Sequence, residues 1–155
     1  MSITKVGVVG AGTMGNGIAQ AFAVAGMDVV MMDVAEAQVK RGLDTIGASL
    51  DRLVKKEKMS AEQKAAAMAH IGTATALSAL ADCDLVIEAA TENVNLKLKI
   101  FAELDALTKP EAILASNTSS ISITRLAAST QRPAQVIGMH FFNPVPMMAL
   151  VELIK

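Results

Sequence analysis

Three stretches of this 155-residue chain place ligand-binding or reactive side chains at telling spacings. The first is Gly10-Ala11-Gly12-Thr13-Met14-Gly15, a glycine-rich turn of the kind that cradles a pyrophosphate. Gly10 permits a tight turn. Gly12 removes a side chain where phosphates must approach the backbone, and Gly15 lets the next helix pack closely on the strand before it. The free N–H groups and the positive end of that helix, which opens at Thr13 and Met14, then face the phosphates. Asp33 follows about 20 residues on, where a carboxylate takes the hydroxyls of an adenosine ribose and repels a 2′-phosphate. That favours NAD over NADP, while the turn taken alone also suits a flavin. The second stretch is ASNTSS, Ala115 to Ser120, a polar cluster ending an apolar run. The third is MHFFNPVP, Met139 to Pro146, which sets His140 and Asn143 in a loop held by two prolines, with Glu152 on the last apolar segment. A histidine oriented by a carboxylate is a general acid/base pair. A lone histidine beside two phenylalanines is, however, more often packed core.

The elements that must position these residues follow from periodicity. Ile3 to Val9 reads as a buried strand, Thr13 to Ala25 as a helix with Gly26 at its left-handed end, and Met27 to Met32 as a second strand. From Ala35 to about Lys58, Val39, Leu43, Ile46, Leu50, Leu53 and Val54 recur at spacings of three and four, giving one long amphipathic helix. Ser60 and Gln63 form a capping box that opens another helix running to about His70. This hairpin, about 35–70, is an insertion in a minimal βαβ repeat. Further strands are expected at Thr73 to Ala76, Asp84 to Ala89, Ala112 to Ala115, Gln135 to Met139 and Met148 to Ile154. Helices are expected at Leu96 to Leu107 and Ser122 to Ala128. The alternation predicts an α/β fold of Rossmann type: one domain with a mostly parallel sheet, helices on both faces and the inserted hairpin. The polar clusters at Ser119 and His140 then stand at carboxyl ends of strands, where open α/β sheets bind ligands.

Bulk properties narrow the partners. Hydrophobic residues make up 52% of the chain, which suits one packed domain. A net charge of −1 gives no global field for nucleic acid or an anionic membrane, so any anion must be held by local geometry. Cys83 is the single cysteine and cannot form an internal disulfide, which fits a reducing cytoplasm. No secretory signal and no bilayer-spanning run is legible, and no metal-ligand cluster.

The opening VGVVGAGTMGNGIAQ, the run IEAATEN with the following LK, ASNTSS, and HFFNPVPMM followed by LVELI together resemble the NAD-binding domain of the 3-hydroxyacyl-CoA dehydrogenase family. The resemblance runs from Lys5 to Lys155 and is strongest to its bacterial 3-hydroxybutyryl-CoA members. It implies an NAD-dependent oxidoreductase of fatty-acid and lipid metabolism that interconverts 3-hydroxyacyl-CoA and 3-oxoacyl-CoA. In that pattern His140 is the base that takes the 3-hydroxyl proton, and Glu152 holds and polarises it. Ser119 bonds the substrate oxygen near the nicotinamide, and Asn143 positions the nicotinamide side. Glu92 and Lys97 match positions that contact NAD, and Ser49 and Lys56 match hairpin positions that contact coenzyme A. The exposed-helix reading of Lys97 stays open, as does Glu92 as a first-turn helix charge. Lys55 and Lys58 read as solvated.

Members of the family continue into a helical domain that closes the cleft and carries most of a homodimer contact. No such segment follows Lys155. The expectation is therefore NAD binding with poor turnover, and an apolar docking surface at Met147, Met148 and Leu150. Two other readings compete. One is a non-catalytic NAD-binding or structural module. The other is a 6-phosphogluconate- or 3-hydroxyisobutyrate-type dehydrogenase, which would be expected to use a lysine near the reacting carbon.

Overall fold

The computed structural model describes residues 2–90, 93–118 and 121–141, and the backbone of 151–154. Seven strands form one sheet: β1 (Lys5–Val9), β2 (Asp28–Met32), β3 (Ile71–Ala74), β4 (Leu85–Glu88), β5 (Ile113–Ser116), β6 (Val136–Phe141) and β7 (Val151–Ile154). Their order is β3-β2-β1-β4-β5-β6-β7. The first six run parallel, and β7 pairs antiparallel to β6. The chain works outward from β1 to β3, then crosses to β4 on the other side of β1. A crevice opens where the strand order reverses, outside the carboxyl ends of β1 and β4.

Period-two alternation assigns the two faces. Val6 and Val8 of β1 and Leu85 and Ile87 of β4 face one core with Ile18, Ile46 and Leu50. Val9 and Val86 face the other with Phe101, Leu104 and Leu126. The first core is covered by α1 (Thr13–Val24), α2 (Glu36–Lys55) and α3 (Ala61–Ala69), the second by α4 (Val94–Leu107) and α5 (Ile123–Ala128). Such two-sided cover is the parallel sheet's usual requirement, because neither face can be left in water. The richness of α1 in Gly and Ala follows from its place between the sheet and α2 and α3: Gly15, Gly17, Ile18, Ala19, Gln20 and Ala23 are all buried.

The expected elements all form, with informative shifts. Gly26 is left-handed at φ +91°, just past α1. The Ser60 and Gln63 capping box closes in both directions, at 3.0 and 2.8 Å. α2 stops at Lys55 rather than Lys58, and Glu57, at φ +57°, turns the chain into α3. The third strand lies at Ile71–Ala74, not Thr73 to Ala76. Its partner sets it: Ile71 pairs with Val29, and the Val29 N–H donates to the His70 carbonyl, so pairing begins as soon as α3 ends. Met147, Met148 and Leu150, where a docking surface was expected, lie outside the described residues, as does the start of the last strand.

Two polar clusters brace the end of the sheet opposite the crevice. Asp84, which precedes β4, accepts from the Thr4 N–H and the Lys5 N–H at 2.9 and 3.1 Å and from the Lys109 ammonium. Arg132 bonds the Asp105 carboxylate at 2.7 Å and the carbonyls of Asp105, Lys109 and Ala112, tying the end of α4 to the segment before β6. The Lys109 ammonium and the two backbone donors hold the Asp84 carboxyl well below the usual carboxylate range. A carboxyl held low in the folded state favours folding at pH above about 4, and that advantage fades as acid protonates it. Asp84→Asn is expected to cost about 1–3 kcal/mol at neutral pH. Urea titrations of the two proteins should converge as the pH falls below about 4, and a gap independent of pH would contradict the assignment.

Candidate active site

The crevice is a cleft of about 560 Å³. One wall is the glycine turn, Gly10, Gly12, Thr13 and Met14. The floor is Val9, Met32 and Ala89, and the far wall is Leu96, Ile100 and Glu103 of α4. Asp33 and Val34, after β2, close one end.

Each glycine of the turn is fixed by a different contact. Gly10 sits at φ +111°, and a Cβ there would lie 2.7 Å from the Ala89 carbonyl oxygen. A Cβ on Gly15 would lie 1.9 Å from the Gly10 carbonyl oxygen, so only hydrogen allows α1 to meet β1. Gly12 differs. Its backbone is in an extended conformation open to any residue, and a Cβ would meet nothing within 4 Å. Nothing in the protein itself demands glycine there; the bare backbone faces the cleft. Gly12 is also the N-cap of α1, with no side chain capping the helix and no acid in its first turn. The first-turn N–H groups have no intrahelical acceptors, which makes an anion site. Asn16 steadies the turn by donating to the Gly12 carbonyl at 2.7 Å. Gly12→Ser is accordingly expected to leave thermal stability unchanged or raised, because serine is a good N-cap. NADH affinity should fall at least about tenfold, roughly 1.4 kcal/mol. Gly15→Ala should instead destabilise the fold itself. Calorimetry with NADH titration separates the two outcomes.

Asp33 is half-buried beside the turn. Its Oδ2 accepts from the Ala11 N–H at 3.0 Å and its Oδ1 from the Ala35 N–H at 3.2 Å. A carboxylate has about four acceptor positions. Two bonds fix the group and leave capacity for two ribose hydroxyls. The bare Gly12 backbone, the uncapped helix and this oriented carboxylate together fit NAD.

Beyond β4 and β5 lies a cluster that sequence reasoning did not find. Glu88, the last residue of β4, is fully buried. Its Oε1 accepts from the Ser116 hydroxyl at 2.7 Å, and its Oε2 from the Ala90 N–H at 2.7 Å and the Lys97 ammonium at 2.5 Å. Lys97, on the first turns of α4, is 1% exposed. It is therefore no solvated helix residue: α4 lies against the ends of β4 and β5, and Glu88 supplies the counter-charge that permits an ammonium there. Its Nζ also stands 3.5 Å from the Ala90 carbonyl, on the cleft wall. A signal was present in the sequence, namely a carboxylate inside the otherwise apolar run DLVIEA. Charged residues are almost never fully buried without a partner.

His140 lies on β6, not in a loop, because pairing with β7 extends the strand to Phe141. Its cross-strand partner in the register is Glu152. Residues directly opposite in an antiparallel pair share one face of the sheet. Ser119, Glu92 and Asn143 lie outside the described residues, so the structure brings together the backbone positions of His140 and Glu152 alone among the expected catalytic group. On the hairpin, Ser49 and Lys56 are seven residues apart, about two helical turns or roughly 10 Å. The Ser49 hydroxyl accepts from the buried Gln20 amide at 3.0 Å, and Lys56 is exposed at the end of α2. Among the described residues no group of His, Cys, Asp and Glu could hold a metal ion, and no helix is long and apolar enough to cross a membrane.

The sequence profile described as "3-hydroxyacyl-CoA dehydrogenase, NAD binding domain" matches residues 5–155. The chain belongs to this family. It is 58% identical over 153 residues to 3-hydroxybutyryl-CoA dehydrogenase of Bradyrhizobium diazoefficiens, a match covering 99% of this chain and 52% of that protein. To the Clostridioides difficile enzyme of the same name it is 48% identical, covering 97% and 54%. The crystal structure of (S)-3-hydroxybutyryl-CoA dehydrogenase from Ralstonia eutropha superposes with a TM-score of 0.95 at 59% identity, covering 98% of this chain and 54% of that one. The chain thus spans about half the length of these relatives. Its fold is the family's Rossmann-like NAD-binding domain, and its cofactor is NAD.

Proposed function

We propose that this domain serves the NAD-dependent interconversion of a 3-hydroxyacyl-CoA and its 3-oxoacyl-CoA. The observation that carries the reading is the register of β6 and β7, which makes Glu152 the direct cross-strand neighbour of His140 at the carboxyl end of the sheet. A base oriented by a carboxylate is what removal of a hydroxyl proton requires. His140 takes the proton of the 3-hydroxyl, and Glu152 favours the imidazolium that results. NAD, when bound, would supply the acceptor for the hydride that leaves C3. Ser119 holds the reacting oxygen, Asn143 acts on the nicotinamide side of the site, and Glu92 contacts NAD. Lys97 acts on the NAD side from behind the Ala90 segment of the cleft wall, with its charge balanced by Glu88. Ser49 and Lys56 bind the coenzyme A portion, where an exposed lysine suits a phosphate. Names of relatives support the same substrate class: besides the two above, a 42% identical Escherichia coli protein is named 3-hydroxyadipyl-CoA dehydrogenase. Chemistry on a diffusible acyl-CoA goes with a cytoplasmic setting in this reading.

The test is NADH consumption on addition of acetoacetyl-CoA. Turnover by the full-length protein, lost on replacing His140, is the expected result. NADH binding with no turnover on any 3-oxoacyl-CoA would instead assign a non-catalytic module.

A further inference from the structure

The parallel pairing of β5 with β6 ends at Ser116 opposite Gly138, yet β6 runs on to Phe141. His140 therefore lies on an overhang that β5 no longer supports. Among the described residues the side chain of Asn117 bridges the gap. The Asn117 Oδ1 accepts from the Phe141 N–H at 2.8 Å. Phe141 is 5% exposed, so this donor is removed from water and needs an acceptor. In a strand, successive residues turn their peptide groups to opposite edges. With the Phe141 N–H aimed at the β5 side, the peptide groups of His140 face β7, in keeping with the pairing of His140 and Glu152.

Asn117 is itself held firmly. Its backbone N–H donates to the Glu88 carbonyl at 2.9 Å. On one side the Ser116 hydroxyl donates to the buried Glu88 carboxylate, and on the other the Thr118 N–H donates to the Ser116 hydroxyl at 3.2 Å. The segment is thus clamped to β4 by Glu88, two residues before Ser119.

We propose that Asn117 is a positioning residue for the reaction: it continues β5 with a side chain and fixes the His140 strand against the segment that leads to Ser119. The proposal rests on the reading of His140 as the base. Base and substrate contact come from neighbouring segments that the Asn117 to Phe141 hydrogen bond joins, and an error of about 1 Å in such a geometry costs about a hundredfold in rate.

The experiment compares Asn117→Ala, Asn117→Asp and His140→Gln in the full-length protein, by steady-state kinetics and by hydrogen exchange at the Phe141 amide. Asn117→Ala should speed that exchange about tenfold. It should lower kcat about ten- to a hundredfold while leaving KM for NADH within about twofold. Asp keeps an acceptor oxygen at the same reach and should restore both protection and most of kcat. Should Asn117→Ala fail to fold, Asn117→Ser, whose hydroxyl falls short of the Phe141 N–H, takes its place. If His140→Gln is inactive and Asn117→Ala keeps full kcat, the positioning role is wrong and the base survives. If Asp restores protection of Phe141 but not kcat, the role is likewise wrong. If His140→Gln keeps full activity, the base reading fails and the positioning role falls with it.

Discussion

Replacement of His140 by glutamine should lower kcat for acetoacetyl-CoA reduction in the full-length protein by about 10²–10⁴-fold, the span that a positioned acid/base contributes. Glutamine keeps polarity and approximate size on β6 but can neither take nor give the proton. The cost should fall on kcat and kcat/KM together, because the lost interaction belongs to the transition state. NADH affinity should hardly change, since the cleft is lined by the glycine turn, Asp33 and α4 and, among the described residues, by none of β6. Stability should hold as well, because His140 is only half-buried and its backbone pairing with β7 does not depend on the ring. Full activity in this variant would remove His140 from the reaction. A parallel fall in stability and NADH binding would point instead to a packing role.

The second large effect is on the fold. Glu88→Gln is nearly isosteric, so it leaves the packing of β4 intact while withdrawing the charge that the Lys97 ammonium faces at 2.5 Å. Both side chains are buried, at 0% and 1% exposure, where water cannot screen the loss. Breaking such a pair costs about 3 kcal/mol, toward the lower end of the range for buried ion pairs. On a domain of this length that is a fall in Tm of about 6–12 °C, but the decisive comparison is a cycle with Lys97→Met. If the two charges act as a pair, the double variant should recover much of the stability that Glu88→Gln loses, because a buried pair replaced as a unit is close to neutral. Strict additivity of the two single losses would refute the pairing. The double variant also separates stability from chemistry. It restores the fold but leaves the segment from Ser116 to Thr118 without its carboxylate anchor, so kcat should stay low.

How much of this was legible beforehand depends on the range of the interactions involved. The glycine turn, Asp33 and the capping box at Ser60 could be placed from the chain alone. Each is a local rule linking residues a few positions apart or one βαβ unit apart, and backbone sterics and helix ends enforce it in any tertiary setting. The two-faced sheet was legible for a similar reason: strands buried on both sides read as near-continuous apolar runs, and Leu85-Val86-Ile87 shows it. Strand ends were less secure. β3 begins two residues early because β2, not the composition of residues 71–76, sets its register.

Tertiary structure alone decided three matters. Lys97 could be read as solvated because its neighbours in sequence do not reveal that α4 lies over the end of β4. Ser116 meets Glu88 across 28 residues, and Asn117 meets Phe141 across 24, through side chains that periodicity treats as loop polarity. His140 moved from an expected loop onto a strand because β7 turns back antiparallel along β6, a pairing that hydrophobic pattern cannot orient. Sequence by itself determined that this chain binds a dinucleotide on a Rossmann-type sheet, and which residue types crowd the strand ends. The packing of α4 and the antiparallel return of β7 decided how those residues face one another, because hydrogen-bond partners far apart in the chain are chosen by where the elements pack.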